Sequence, residues 1–256
     1  FGIGRLRELA PEYGIRILFE EKYEPNASDL TDLLAGIDSR RLDAVINWSI
    51  DSSQSTVSRN MGDLGVSLPL FQSYGFGDVR HLAAAGDSAE GTMFPSGKIL
   101  VAEHLPDEDR QKPVLIQYAR DYRERYGESP SVFGGHAHDA FMIVVEALKR
   151  GGADRAKVRD EIEGLSAFAG VGGVFHMSPS DHNGLGMDSI TMVTVENGEF
   201  ASLEVDAANV VSPGAPIYDE IFVQGGTFQM GSEDATDPPA NSVSVLSFWM
   251  MKTEVT

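Results

Sequence analysis

Apolar positions in the first two thirds of the chain alternate between two periods. Leu6, Leu9 and Ala10 share a helical face that Pro11 and Gly14 end. Ile15-Arg-Ile-Leu-Phe19 is then a short, partly β-branched run, the pattern of a buried strand. Ser28 or Asp29 is placed to cap a second helix carrying Leu30, Leu33, Leu34 and Ile37. Leu42-Asp-Ala-Val-Ile-Asn-Trp48 predicts a second buried strand. Ser53 to Leu64 predicts a third helix stopped by Gly65, and Leu68 to Phe71 a third strand. This alternation predicts an α/β fold, an open parallel sheet flanked by helices.

The period changes further on. Pro113 to Tyr126 reads as an amphipathic helix with Tyr118, Tyr122 and Tyr126 at i, i+4 and i+8, a stripe expected to pack on the core. Asp139 to Arg150 is a more apolar helix closed by Gly151-Gly152, and Asp154 is placed to cap another. Short β runs follow at Gly173 to Met177 and Ser189 to Val195, with Asn197-Gly198 as a turn signal. Ser212-Pro-Gly-Ala-Pro216 has linker character. The expected organisation is an α/β region over 1–211, a linker over 212–217, and a short irregular β tail over 218–256, too small to hold its own core.

Charge narrows the partners. With 20 Lys and Arg against 39 Asp and Glu the formal charge is −19, and Arg40-Arg41 is the densest basic pair. Phosphate repels such a surface, so nucleic acid and anionic membranes are set aside. The chain holds 0 cysteines, which excludes disulfides, thiolate metal sites and a catalytic thiol within these residues. No apolar stretch reaches the roughly 18 residues of a membrane-spanning helix. The sequence opens at Phe1 without a basic stretch leading into an apolar one, and it ends at Thr256 without a terminating feature. We read it as a piece of something longer.

Several candidate chemistries fail on spacing. His136 and His138 sit where a helix begins, and residues two apart on a helix diverge by about 200°, so no metal site is expected. Asp181-His182 has no Gly-x-Ser-x-Gly elbow to pair with, and Gly170-Val-Gly-Gly173 lacks the spacing of a dinucleotide loop. No catalytic residue and no cofactor are expected. What remains are polar and aromatic residues near predicted strand ends: Asn47-Trp48-Ser49, Gln72-Ser-Tyr74-Gly75, and Gly86-Asp-Ser-Ala-Glu90-Gly91 before the next strand. Ligands of open α/β sheets bind outside the carboxyl ends of the strands, and an aromatic floor with a carboxylate suits an ammonium group. Chemistry alone leaves two readings open, a ligand site or packed rings beside a solvated glutamate.

Ala85-Gly-Asp-Ser-Ala-Glu-Gly91 resembles the Ala-Gly-acidic-Ser/Ala-Ala-Glu-Gly segment of the branched-chain amino-acid binding family, type I periplasmic solute-binding proteins of ABC transporters. Phe1-Gly-Ile-Gly4, Glu20 to Asp29, Leu42 to Trp48, Tyr126 to Pro130 with Gly135 to Ala140, and Phe168 to Leu185 resemble further family segments in the right order. The resemblance covers residues 1 to about 205 and implies two α/β lobes that close on a small ligand. These residues would then be the second lobe plus late segments, without the opening strands of the first. It implies Glu90 as the partner of a ligand amine, Tyr74 and Phe1 as cleft walls beside Trp48, a non-enzymatic role, a periplasmic location and a membrane permease as partner.

The tail resembles a different family. Phe222-Val-Gln-Gly-Gly-Thr-Phe-Gln-Met-Gly-Ser232 and Phe248-Trp-Met-Met-Lys-Thr-Glu-Val-Thr256 are similar to the opening of the formylglycine-generating, sulfatase-modifying domain. That family's catalytic cysteines lie beyond the matched stretch. The alternative reading is therefore the truncated front of such an enzyme with an α/β ligand-sensing attachment. Deleting residues 218–256 is expected to move the melting temperature by only a few degrees, less than about 1 kcal/mol. A larger loss would mean that the tail docks on the α/β region and that the boundary is misplaced.

Overall fold

The structure, a computed structural model, describes residues 2–37 and 42–203, and the strands at 220–223, 226–230, 241–245 and 248–251. It divides into two compact units, Leu18–Val210 and Phe1–Ile17 with Val211–Thr256. The second unit contains helix α1 (Gly2–Leu9), a 3-10 turn (Ala10–Tyr13) that Gly14 ends in a left-handed conformation, and four short strands. Strands β8 (Glu220–Val223) and β11 (Phe248–Met251) pair antiparallel, as do β9 (Gly226–Met230) and β10 (Asn241–Val245).

The larger unit is built on a five-stranded sheet in the order β1-β2-β3-β6-β7. Strands β1 (Val45–Asn47), β2 (Leu70–Gln72) and β3 (Met93–Gly97) are parallel, joined through helices α3 (Ser53–Asp63) and α4 (Val79–Ala85). The chain then leaves the sheet for α5 (Lys112–Tyr126), α6 (Val132–Gly151), α7 (Arg155–Glu163) and the small ribbon β4 (Phe168–Ala169) and β5 (Val174–Phe175). It returns as the hairpin β6 (Ile190–Glu196) and β7 (Glu199–Ser202), with β6 antiparallel to β3. Asn197 and Gly198 turn that hairpin with φ of 55° and 74°, the left-handed geometry for which Asn-Gly is suited. The expected parallel sheet is present, extended by an antiparallel edge.

Local signals place most of these elements. The Asp154 carboxylate accepts from the Ala156 and Lys157 N–H groups at 2.9 and 3.1 Å and starts α7. Asp29 accepts from Thr31 N at 2.9 Å ahead of a single helical turn, α2 (Thr31–Leu34), which buries Leu30, Leu34 and Ile37 against Val57, Met61 and Leu70. Under the other end of the sheet Phe76, Phe94, Val101, Val193 and Val195 form a second core cluster. Burying each such side chain contributes roughly 1.5–3 kcal/mol.

Two expectations are corrected. Residues 15–19 form no strand: Ile15, Ile17 and Leu18 stand exposed, and among the described residues β1 pairs with β2 alone. The tyrosine stripe of α5 is also not core. Tyr118 alone packs against a buried cluster, while Tyr126 is 58% exposed and the three rings tile one another at 5.9 and 4.7 Å.

Two carboxylates tie this unit to pH. Hydrogen bonds from Arg80 hold Asp78, which caps α4, below the ordinary aspartate value of 3.8. Burial pushes Asp109 up, but its bonds with Lys98 and the Gln111 and Lys112 N–H groups outweigh this and leave it lowered too. A lowered carboxylate stabilises the fold at pH above its unfolded value, and that contribution is lost as pH falls through the folded value. The urea midpoint should therefore fall as pH drops through about 3.8 and below, less steeply in Asp109→Asn. Identical pH slopes for that variant and the parent would exclude the Lys98 pair as a contributor.

Candidate functional site

The carboxyl ends of β1 and β2 are held level by buried amides. Asn47 and Gln72 lie opposite each other in the parallel register, and Asn47 Nδ2 donates to Gln72 Oε1 at 2.7 Å. Tyr23 Oη closes on Asn47 Oδ1 from the other side. Gln72 Nε2 in turn donates to the Gln54 carbonyl at 2.9 Å and to Ser58 Oγ at 3.3 Å, both on α3. Gln54 Nε2 donates to Ser73 Oγ at 3.0 Å, and that hydroxyl donates to the Ser49 carbonyl. The chain just past β2 is thus bonded to the chain just past β1.

Above this layer the two strand ends nearly touch. A Cβ on Gly75 would lie 3.1 Å from Ile50 Cα and 3.0 Å from Gln54 Oε1, so only glycine allows the approach without displacement. Trp48 follows β1 directly and is 53% exposed; Ile50 is 69% exposed. Asp51 gathers the Ser53 N–H at 2.9 Å, the Ser53 hydroxyl and the Asn26 N–H at 3.2 Å on its Oδ1 oxygen. Burial raises its pKa, but these bonds outweigh that and leave it below the ordinary value, so it is an anion at neutral pH.

Tyr74 begins a 3-10 turn after β2 (Tyr74–Phe76) and reaches across to β3 and α6. Its hydroxyl lies 3.1 Å from His136 Nε2, and the Gly97 N–H bonds to the phenolic oxygen. Burial raises the phenol's pKa and the Gly97 bond takes part of that back. The ring meets the edge of Phe133 at 6.3 Å and 79°, and Phe133 is itself 52% exposed. His136 is positioned from beneath. Asp139, almost fully buried on α6, accepts from the Val171 and Gly172 N–H groups at 2.8 and 2.6 Å, and the absent side chain of Gly172 leaves room for the His136 ring.

These contacts settle where the expected site residues lie. Trp48 and Tyr74 stand together at the carboxyl ends of adjacent strands. Phe1 lies outside the described residues. Glu90 is at the opposite end of the sheet, before the start of β3, whereas Tyr74 touches Gly97 at that strand's finish. Its carboxylate accepts from the Asn197 and Gly198 N–H groups at 2.9 and 3.3 Å, binding the β6–β7 turn. A depression of about 500 Å³ opens beside it, walled by Leu82, Ala83, Gly86 and Asp87, but contains no aromatic side chain. Glu90 and Tyr74 therefore do not line one site: the glutamate precedes a parallel strand, and parallel strands put their beginnings and ends on opposite rims.

Phe133, His136 and Gln54 were not anticipated as site builders. Gln72 was singled out at the close of its strand, whereas nothing local points from His136 to a tyrosine 62 positions away. Among the described residues no group of three or more His, Asp and Glu side chains is arranged to hold a metal. His136 and His138 turn to different partners, Tyr74 and Tyr118. The larger surface groove, about 610 Å³ along Tyr118, Tyr122 and Tyr126, includes none of Trp48, Tyr74 and Phe133.

The sequence profile described as periplasmic binding protein matches residues 3–199. The chain belongs to the periplasmic binding protein family. Residues 206–256 match a second profile, the sulfatase-modifying factor enzyme 1-like domain. Among solved structures, Rp1789 of Rhodopseudomonas palustris strain CGA009 superposes with a TM-score of 0.72 at 21% identity, over 79% of this chain and 59% of its own. LivJ of Streptococcus pneumoniae, a branched-chain amino acid transporter substrate binding protein solved with isoleucine, gives 0.67 at 21%, over 78% and 55%. The leucine binding protein LivK of Thermotoga maritima gives 0.61 at 22%, over 78% and 55%. These likenesses are of fold, and the chain spans less than two thirds of each of these relatives. No curated protein sequence matches it.

In this periplasmic binding protein Glu90→Gln should weaken the β6–β7 turn and leave ligand binding alone. Loss of charge-assisted bonds at an exposed turn costs about 1 kcal/mol or less. Denaturant midpoints and titration calorimetry, the latter on the full-length natural protein, read both. A tenfold loss of affinity with an unchanged midpoint would return Glu90 to the ligand site.

Proposed function

We propose that the protein is the solute-binding component of an ABC transporter, taking an amino acid or a related small polar molecule at the carboxyl ends of β1 and β2 and delivering it to a membrane permease from the periplasm. The observation that carries this is the rim built there: Trp48, Tyr74 and Phe133 present aromatic surface and Asp51 supplies an anion, on strands locked by buried amides. Aromatic faces and a carboxylate suit an ammonium group, and an open α/β sheet binds at this rim. The relation to LivJ and LivK, whose descriptions concern branched-chain amino acids and leucine, supports the same ligand class.

Binding proteins of this kind gain affinity by enclosing the ligand, and here we infer that the rest of the rim comes from the part of the relatives' length that these residues do not span. The 256 residues alone are then expected to bind amino acids no tighter than about millimolar, near −4 kcal/mol, and the full-length natural protein about a thousandfold more tightly. In the latter, Trp48→Ala should cost at least tenfold. Calorimetry with the set of natural amino acids tests this. The proposal fails if the full-length protein binds none of them, or if Trp48→Ala binds as well as the parent.

The match over 206–256 favours a second reading, a ligand-sensing attachment at the front of a sulfatase-modifying-type enzyme. A cysteine-containing continuation of the coding sequence past Thr256 would support it.

A further inference from the structure

Tyr74 has one proton to give, and its surroundings decide where that proton points. A Cβ on Gly97 would stand 3.2 Å from the phenolic oxygen, so the strand backbone itself closes that side. On the other side His136 Nε2 lies 3.1 Å away. An imidazole nitrogen accepts only when it carries no hydrogen, so a neutral ring that accepts at Nε2 holds its hydrogen on Nδ1. Were His136 the donor, the phenol's own hydrogen would lack an acceptor within the cluster. The arrangement that pairs the phenol's hydrogen has Tyr74 donating to His136.

His136 is not free to swing away. Its ring lies against Gly172, at a distance that any side chain there would violate, and Gly172 is fixed by its N–H bond to the buried Asp139 carboxylate at 2.6 Å. Phe133, one turn earlier on α6, edges the Tyr74 ring and limits its rotation. Asp139, Gly172, His136 and Tyr74 thus form a mechanical series from the interior to the rim.

We propose that His136 is a specificity-determining positioning residue: by accepting the Tyr74 hydroxyl's hydrogen bond it leaves the phenolic oxygen able only to accept hydrogen bonds from a ligand. At this point of the rim a ligand ammonium, amide N–H or hydroxyl is bound, and a carboxylate or carbonyl oxygen is rejected, because two lone pairs would face each other without a hydrogen between them. The inference rests on the ligand-binding reading above and deepens it, assigning the nitrogen end of an amino acid, not its carboxylate, to the Tyr74 side.

Imidazole nitrogen spectra of the 256-residue chain, labelled with 15N-histidine at neutral pH, test the proton arrangement without any ligand. His136 should carry its hydrogen on Nδ1 with Nε2 bare, and Tyr74→Phe should return it toward the Nε2–H form usual for a free imidazole. An Nε2–H ring in the parent, or a spectrum indifferent to Tyr74→Phe, overturns the proposal. Selectivity is read on the full-length protein with L-leucine against 4-methylpentanoate, which keeps the side chain and carboxylate and lacks the ammonium. His136→Leu should shrink the preference for leucine about tenfold, whereas His136→Gln, whose carbonyl still accepts, should retain most of it. Unchanged selectivity in a folded His136→Leu also overturns it. If neither compound binds the parent, the ligand-binding reading fails, and the nitrogen spectra alone decide the role of His136.

Discussion

The carboxamide of Gln72 joins three elements at once. Its oxygen takes Asn47 from β1, and its nitrogen gives to the Gln54 carbonyl and to Ser58 on α3. All four residues are buried, so none of these groups has water as an alternative, and an unmade bond there costs about 1–3 kcal/mol. A network under that constraint has few acceptable geometries, so it fixes the relative height of β1, β2 and α3 more narrowly than apolar packing would. The rim formed by Trp48, Ile50 and Tyr74 stands on a polar, buried foundation.

A second fixed point lies across the rim. Asp139 puts a carboxylate inside the α6 helix and spends both oxygens on the backbone of the loop at 171–172. Gly170 packs so near that a Cβ would meet that carboxylate at 2.6 Å. The loop is thereby bonded to the helix that carries Phe133 and His136. One side of the rim is governed by buried amides and the other by a buried aspartate.

Much of the scaffold was legible because its signals are local. The apolar period of α5 and α6, the Asp154 cap and the Asn197-Gly198 turn each act within a few residues, and the structure realises all of them. The failures share a cause in long-range pairing. Ile15 to Phe19 has the composition of a strand, but a strand exists only where a neighbour completes its ladder. Helix α3 is rich in Ser, Thr, Gln and Asn, yet it is buried nearly throughout because Gln72, Ser73, His81 and the Leu30 N–H supply its partners. Glu90 follows the same logic. Its glycine neighbours suggested a side chain presented to a cleft, while its carboxylate is bound by the N–H groups of a turn more than a hundred positions onward.

Strand β3 has a companion that is translated late. Met93 pairs with Thr194 and Phe94 with Val193, so the central strand of the sheet waits for a partner made roughly a hundred residues later. Until that hairpin emerges from the ribosome, Phe76 and Phe94 lack Val193 and Val195, and one edge of β3 keeps unbonded amides. Loop closure over such a distance is slow relative to helix formation, so α3 to α7 are expected to be present before the sheet is complete. A nascent chain paused in the α6–α7 region would expose a bare strand edge, the surface that holdase chaperones protect and that aggregation exploits.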